Sequence, residues 1–529
     1  MPDPVYLAGG ALTPFGKAKV PLVDLLAEAA ARALAEAAVT GVDAMYLGVM
    51  NAEEFTGEGN LAALLADRLG LSGVPSSRVE TASSTGAGVL ESAFFAVASG
   101  YRQNVLVVAG EKMTGHDTAR TTRILAEVIA PDERRYGASM PALAALVSRA
   151  YAHAHRLDHD TLRRVLGLVA VKNHARGALN PYAQFQRAIT LEKHHAARLV
   201  ADPLGLFDCA PITDGAAAVV LCGRKGQVRL AGIGHATDSA EVCRRGSLVG
   251  FNSTRQAAAQ AYQMARVTPA EVEVAEVHDA FTMFEVIGSE DLGLFAPGQG
   301  WQAVLEGRTG PEGSLPINPS GGLKARGHPV GASGLAQVVE AYWLLTGQVR
   351  PEQKLPRQPR VALTHSIGGL GNNNLVTILV PAKRPMYPVG PWRSAYSPRP
   401  DTPAPPRPRP EPPEVAGRVL SSTVLHSPPE GFPSPLGLLL VEAREGWRTL
   451  ALAPGDGLAP VGERVRLVLE EGRYHLVPGR EDNMTVAAFK KAVKLFPSAM
   501  ESLSSLAKSD RKKGEPEPPA GGDGDGGPA

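Results

Sequence analysis

An α/β protein with layered sheets, followed by a small β-barrel, is the fold class this sequence predicts. Three observations predict it. Over residues 1–380, short β-rich runs alternate with Ala/Leu-rich helical stretches, the pattern of α/β layers with largely parallel sheets. At 384–415, prolines crowd between arginines and acids, as in Pro405-Pro406-Arg407-Pro408-Arg409-Pro410. At about 416–480, five short β runs stand between Pro and Gly turns, which suggests a small barrel.

The elements follow in chain order. Val5–Gly10, Ala44–Met50, Asn104–Gly110 and Ala217–Cys222 are apolar runs bounded by turn residues and read as buried strands. Val228–Ile233, Val274–Val277, Arg360–His365 and Leu375–Val380 repeat the pattern. Helices are predicted at Leu22–Ala38, Gly86–Ser99, Met140–Leu157, Asp160–Ala175, Arg255–Met264 and Ala332–Leu345. The helix at Gly86–Ser99 carries small residues at Gly88, Ser92, Ala93, Ala96 and Ser99. Other elements can approach it closely, which suits a helix buried between two sheets. The proline-rich stretch cannot hold a helix or a central strand and reads as a semi-rigid extended linker. The barrel strands are Gly417–Leu425, Leu436–Glu442, Trp447–Leu452, Arg464–Glu470 and Tyr474–Val477. A short amphipathic stretch at Val486–Leu506 precedes Asp510–Ala529, which has no large apolar residue and is expected to be disordered.

Bulk numbers bound the function. The 529 residues exceed one ordinary core, so two to four domains or lobes are expected. A formal net charge of +1 argues against nucleic acid or an anionic membrane as partner, and 5% aromatics against base-stacking surfaces. Three cysteines, Cys209, Cys222 and Cys243, show neither CxxC spacing nor a disulfide framework, which fits a reducing compartment. No basic leader with an apolar core and no long apolar run is present, so no membrane span is expected and the setting reads as cytoplasmic.

Four motifs could carry chemistry. Val79-Glu80-Thr81-Ala82-Ser83-Ser84-Thr85-Gly86-Ala87-Gly88 crowds small residues into a strand-to-helix elbow. Side chains there meet the positive end of a helix dipole, a place for a nucleophile or an anion; the same pattern also fits a Ser/Thr N-cap with close packing. Val277-His278-Asp279-Ala280-Phe281-Thr282 ends a strand, and its His-Asp pair reads as ligand, base or core pair. Asn318-Pro319-Ser320-Gly321-Gly322-Leu323-Lys324-Ala325-Arg326-Gly327-His328-Pro329 holds a histidine between Gly and Pro, as a positioned base or oxyanion donor requires. Leu363-Thr364-His365-Ser366-Ile367-Gly368-Gly369-Leu370-Gly371 has glycines that permit positive φ and close backbone approach, or merely turn the chain.

In this order the four motifs resemble the thiolase superfamily, nearest its sterol-carrier-protein-type and archaeal branch, over about residues 4–381. Supporting stretches are Thr13-Pro14-Phe15-Gly16, Val171-Lys172-Asn173-His174 with Asn180-Pro181, and Asp208-Cys209-Ala210-Pro211-Ile212-Thr213-Asp214-Gly215. The resemblance implies two similar βαβαβαββ halves, at 1–225 and 226–381, in a five-layer αβαβα sandwich. It implies homodimers or tetramers that bind an acyl-CoA as substrate, with no further cofactor. It places the acyl-accepting residue at Ser83, where the family has cysteine, and the Gly-His-Pro histidine at His328. His278 and His365 take the other catalytic loop positions; Gly86, Asp279, Phe281, Gly368 and Gly369 line the substrate. The family's alternative cysteine positions hold Ala280 and Ser366, and Cys209 matches a non-catalytic position. Residues 416–480 resemble the OB-fold domain of the DUF35 family through Gly417-Arg418-Val419, Thr423-Val424, His426, Pro428-Pro429-Glu430-Gly431-Phe432 and Gly455-Asp456. Such domains usually accompany thiolase-like proteins, so another acyl-CoA-handling enzyme is a possible partner. No CxxC precedes this barrel, so no zinc is expected. Residues 382–415 are then a linker and 481–529 a short helix and tail.

Serine changes the chemistry. A thiol with a reference pKa near 8.5 needs modest help to ionise. A helix N-terminus supplies roughly 0.3–1 kcal/mol, at most about 2, whereas lowering a pKa by one costs about 1.4 kcal/mol. That cannot make an alkoxide at neutral pH, so Ser83 needs a general base, with His328 the natural candidate and His365 the reserve. The expected activity is acetyl-CoA acetyltransferase-like acyl transfer. The alternatives are retro-aldol cleavage of a β-hydroxyacyl-CoA and non-catalytic acyl-CoA or lipid binding. A Ser83–His328–Asp279 thioesterase is a further, weaker idea.

Overall fold

The computed structural model describes residues 3–384, 411–454 and 458–477. The proline-rich 385–410, the Gly455-Asp456 pair, the amphipathic stretch Val486–Leu506 and the tail lie outside the described residues. The strands are β1 (Tyr6–Leu12), β2 (Ala44–Gly48), β3 (Ser76–Val79), β4 (Asn104–Lys112), β5 (Leu199–Ala201), β6 (Leu204–Gly205), β7 (Asp214–Cys222), β8 (Val228–Thr237), β9 (Val274–Glu276), β10 (Ala362–Gly368), β11 (Asn373–Pro381), β12 (Glu414–Leu425), β13 (Leu436–Ala443), β14 (Arg448–Ala453), β15 (Arg464–Glu470) and β16 (Arg473–Leu476). The helices used below are α1 (Leu22–Ala37), α2 (Thr85–Ala98), α3 (Met140–Ala154), α4 (His159–Gly177), α5 (Asn252–Ala265), α6 (Thr282–Asp291), α7 (Gly322–Arg326) and α8 (Ser333–Thr346).

One nine-stranded sheet runs β3-β2-β4-β7-β1-β8-β11-β10-β9. It is two half-sheets joined where β1 meets β8 at Tyr6–Arg229 and Leu7–Val228. In the first half, β2 is parallel to β3 and β4, and β7 is antiparallel to β4 and β1. The second half repeats this: β9 is parallel to β10, and β11 is antiparallel to β10 and β8. The counterpart of β3 shrinks to a single parallel bridge, Ala275–Ile317.

Alternation along the strands decides the layers. Leu106, Val108, Ala218 and Val220 face α1, whose Leu22, Leu26, Ala29 and Ala33 repeat at helical spacing. Their neighbours Val105, Val107, Ala217 and Val219 face the opposite way, into a core shared by α2 and α8. Ala362 and Leu379 reach that core from the second half. Leu363, Val376 and Ile378 face outward onto α5. The order α1, half-sheet, α2 with α8, half-sheet, α5 is a five-layer αβαβα sandwich. The central helices are apolar nearly all round because both sides of each are covered.

The barrel closes through β12-β13-β14-β16-β15 and back to β12. It is not a separate bead. One apolar core runs from Leu143, Leu146 and Val147 of α3 into Val419, Leu438, Leu440 and Leu467 of the barrel. Backbone pairing extends across the contact: Leu425 pairs with Ala201 of β5, and Asp202 N–H donates to Val424 O at 3.0 Å. Ser421 Oγ donates to Leu146 O at 2.7 Å, and Arg448 to Arg245 O at 2.7 Å. Among the described residues no helix is long and apolar enough to cross a membrane.

Gly137 sits at φ +75, with Leu436 and Phe432 of the barrel side 2.7 and 2.8 Å from where a Cβ would lie. Gly137→Val adds left-handed strain of roughly 1–2 kcal/mol and overpacking of roughly 1–3 kcal/mol. Urea unfolding should therefore lose about 2–5 kcal/mol in one cooperative transition. An early, separate barrel transition in the wild type would refute the shared core.

Candidate functional site at the helix-α2 elbow

β3 ends at Val79 and α2 starts at Thr85, so the chain must turn sharply between them. Ala82 makes the turn at φ +54, a conformation costing an L-residue roughly 1–2 kcal/mol. Neighbouring hydroxyls hold it. Thr85 Oγ1 accepts from Thr81 N–H at 2.9 Å and donates to Ala82 O at 2.6 Å. Ser84 Oγ donates to Thr81 O at 2.6 Å. Ser83 is also buried, at 7% exposure, yet its hydroxyl makes no hydrogen bond among the described residues.

Two other segments close on this turn. A Cβ on Gly86 would lie 2.5 Å from Leu335 N and 2.9 Å from Gly331 O, so the first turns of α2 and α8 touch through bare backbone. A Cβ on Gly368 would lie 2.5 Å from Thr81 O and 2.6 Å from Ser84 Oγ. Ala82 packs in one small cluster with Val330. The elbow, the His328 loop and the end of β10 therefore meet. Gly369, at φ +55, makes the turn beyond, with Asn372 Oδ1 2.5 Å from its would-be Cβ.

The two histidines beside the elbow have opposite tautomers. Ser333 Oγ donates to Pro329 O at 2.8 Å and lies 2.7 Å from His328 Nδ1. One hydroxyl has one proton, so the network assigns the hydrogen to Nδ1 of His328 and leaves a lone pair on Nε2. His278 Nδ1 accepts from Ile367 N–H at 3.2 Å, so its hydrogen is on Nε2. The rings stand edge to face, centroids 5.2 Å apart. Burial, with Arg326 nearby, pulls the His328 pKa down to about 3. Burial, then His328, His365 and Arg326, holds His278 well below its usual value. Both rings are neutral at pH 7, one an acceptor and one a donor.

The remaining expected residues sit as follows. His365 points out of the other face of β10. Its Nε2 lies 3.1 Å from Thr254 Oγ1 on α5, and its Nδ1 lies beside Gly288 of α6. The next residue, Ser366, faces inward: its hydroxyl lies beside Gly334 of α8 and is buried without a partner among the described residues. The Asp279 carboxylate accepts from Leu323 N–H at 2.6 Å, Lys324 N–H at 3.3 Å and Asn173 Nδ2 at 2.6 Å. It clamps the start of α7, and so the run leading to His328; it makes no hydrogen bond to His278 or His328 among the described residues. Burial, then Glu285, pushes its pKa up to about 7. Phe281 is buried, its ring edge to face with Phe284 at 5.2 Å and its backbone bridged to Cys209. Burial pushes the Cys209 thiol up to about 12, which removes it as a nucleophile.

Two supporting groups were not singled out from the sequence, Ser333, which sets the His328 tautomer, and Glu111; Ser366 was noted there only as a position where the family has cysteine. Glu111 is fully buried at the end of β4 and accepts from Met50 N–H at 2.9 Å, Asn51 N–H at 3.3 Å and Gly331 N–H at 3.2 Å. It ties the first half to the His328 loop. Its only sequence signal was an acid at the end of an apolar strand.

Fold and site together define a two-lobed α/β protein in which a buried hydroxyl at a helix start and a pair of neutral imidazoles lie on segments that pack together. Residues 5–225 match the thiolase N-terminal domain and 234–381 the thiolase C-terminal domain-like family. The chain is 38% identical to an acetyl-CoA acetyltransferase of Methanothermobacter thermautotrophicus, over 71% of this chain and 98% of that one. It is 31% identical to sterol carrier protein 2 of Bos taurus, over 71% of this chain and 72% of that one. The chain belongs to the thiolase family. Among solved structures it resembles in fold a monomeric SCP2-thiolase-like protein type 1 from Mycobacterium smegmatis, at TM-score 0.69 and 17% identity, over 90% of this chain and 100% of that one. The Ltp2-ChsH2(DUF35) aldolase matches at TM-score 0.62 and 24% identity, over 72% of this chain and 99% of that one.

Glu111 gives a pH test. Burial raises its pKa from 4.5 to about 7 despite its three N–H donors. A folded pKa above the unfolded one means the proton stabilises the fold. That stabilisation is complete below pH 4.5 and is lost as pH rises through 7. Relative to Glu111→Gln, wild type should lose stability between about pH 5 and 8, with a slope of at most roughly 1.4 kcal/mol for each step of one in pH. Parallel stability–pH curves for the two proteins would reject the raised pKa.

Proposed function

We propose that this chain is an acyl-CoA acyltransferase, acetyl-CoA acetyltransferase-like, that takes the acyl group of a CoA thioester onto Ser83. The opposite tautomers of His328 and His278 beside the elbow carry this reading. A serine hydroxyl cannot ionise at neutral pH unaided, and the Nε2 lone pair of His328 is the base it requires. The Nε2–H of His278 is the donor for the oxygen that turns negative as the thioester carbonyl becomes tetrahedral. The positive end of α2 adds to that stabilisation. Collapse of the adduct expels the CoA sulfur, which takes the proton from His328. His365 has no part in this step, since its ring lies across β10, and Asp279 acts through α7. The names of the relatives support acetyl-CoA as the first substrate to try.

The intact chain incubated with acetyl-CoA should gain one acetyl group, and Ser83→Ala should abolish the gain. His328→Ala should slow acylation by roughly 10²–10⁴-fold. Retro-aldol cleavage of a β-hydroxyacyl-CoA that survives in Ser83→Ala would replace this reading. Tight acyl-CoA binding with no acylation and no turnover would reduce the site to a binding one.

The same reading includes a homodimer. β3 is an edge strand, and Phe95 of α2 is 53% exposed although α2 is otherwise a core helix. A second copy covering this face would satisfy both. Light scattering should give at least twice the mass of one chain; a monomer at micromolar concentration would reject it. No disulfide occurs among the described residues, which supports a reducing, cytoplasmic setting.

A further inference from the structure

We infer that the second half-reaction at Ser83 is hydrolysis, so that the site converts an acyl-CoA and water into a free carboxylic acid and CoA. The inference rests on the acylation of Ser83 proposed above, and concerns what happens to the acyl group next.

The first step is RCO–S–CoA with Ser83–OH giving RCO–O–Ser83 and CoA–SH. It runs downhill, because a thioester carbonyl is poorly stabilised by its sulfur and an oxyester carbonyl is well stabilised by its oxygen. The same difference opposes return of the acyl group to a thiol. It also weakens any attack by carbon, which is a poorer match for the less electrophilic ester.

Carbon attack has a second requirement, a base to remove a proton from the incoming carbon acid. Beside Nε2 of His328, the groups around the elbow supply no second base for it. His278 Nδ1 is occupied by Ile367 N–H and its Nε2 carries hydrogen. Ser366 offers a hydroxyl, not a base, and position 280 is alanine. His365 faces Thr254 on the far side of β10. One lone pair remains, on Nε2 of His328, and it is free once the CoA sulfur has carried its proton away.

Water suits that single base. His328 Nε2 takes a proton from water as its oxygen bonds to the acyl carbon, and His278 Nε2–H again receives the developing oxyanion. The Ser83–O bond to the acyl carbon then breaks, the serine oxygen recovers the proton from His328, and RCOOH leaves. Atoms and electrons balance with water as the co-reactant. The buried Ser366 hydroxyl, unpartnered and separated from the start of α2 only by the bare backbone of Gly334, gives the water a second anchor. A Cβ on Gly334 would lie 2.7 Å from both Ser366 Oγ and Ala87 N. Ser366 is a positioning residue here: it orients water and transfers no proton.

The test uses the intact chain and acetyl-CoA in ¹⁸O-enriched water, with thiol release followed by a thiol reagent and products by mass spectrometry. Hydrolysis predicts a burst of thiol equal to the enzyme present, then thiol and acetate one for one over many turnovers. Each acetate carries one ¹⁸O, and no 3-oxoacyl-CoA forms. Ser83→Ala removes burst and turnover together. Ser366→Ala keeps the burst and slows the steady phase, roughly tenfold for one lost water contact of about 1.4 kcal/mol. Acyl-Ser83 that forms to one equivalent and persists, or that passes to carbon as 3-oxoacyl-CoA, overturns hydrolysis and leaves acylation standing. No burst and no acylated protein overturns the acylation itself. Turnover without a burst that survives Ser83→Ala also overturns the proposal, since water would then attack the thioester directly.

Discussion

The contact on which the rest depends is bare backbone against bare backbone, Gly86 of α2 against Gly331 to Leu335 at the start of α8. With a methyl group at position 86 the two helices could not meet, since Leu335 N lies 2.5 Å from where it would be. Because they do meet, the central layer is one helix pair thick, and both half-sheets reach the same core. Two helix N-termini then point their positive ends into one place. The Glu111 carboxylate, held by three N–H groups beside Gly331, sits at that junction and ties the halves across it. The strained Ala82 turn, the Ser83 hydroxyl and the His328 loop are arranged by this contact and have meaning only relative to it.

The barrel extends the constraint outward. Arg448 on β14 donates to Arg245 O, and the Arg245 guanidinium in turn donates to Leu370 O in the glycine loop. A rigid path thus leads from the barrel wall to the loop after Gly368. The continuous core through α3 makes this path stiff, because packed apolar interiors resist small displacements. Among the described residues the barrel buttresses the glycine loop from behind.

Much of the fold was legible because its strands are buried on both faces and its helices are long. Such segments give continuous apolar runs or clear helical spacing, and tertiary context does not override them. The small-residue helix at Gly86–Ser99 announced its central place through composition alone. The site was legible to the level of segments and not of side chains. His365 and Ser366 are adjacent, and the one-residue alternation of a strand sends them to opposite faces. A motif cannot say which of the two faces the elbow; only the packing of β10 between α8 and α5 does. Asp279 follows a candidate catalytic histidine and looked like a substrate contact, yet its acceptors are filled by backbone N–H groups of α7, forty-odd residues along the chain. Ser333 and Glu111 were invisible for the same reason, since their roles exist only through partners distant in sequence or set by a tautomer. The pairing of β12 with β5 joined two segments that nothing local connects.

The neutral histidines bear on why serine fits this pocket. A cysteine working as a resting thiolate needs a cationic neighbour before reaction begins, and its own charge would help to create one at His328. Serine makes no such demand: both partners are neutral at rest, and charge appears only as the bond forms. A base with so low a resting pKa would pull weakly on its own. The oxyanion that forms alongside changes its environment, because an opposite charge at close range in a dry site favours the imidazolium and raises that pKa during the step. Burial that keeps His328 uncharged before reaction is therefore the condition under which the tetrahedral adduct stabilises it most. The same burial, acting on His278, keeps its hydrogen available for donation. In the acylation proposed above, the separated charges would arise together as the bond forms, as a hydroxyl nucleophile requires.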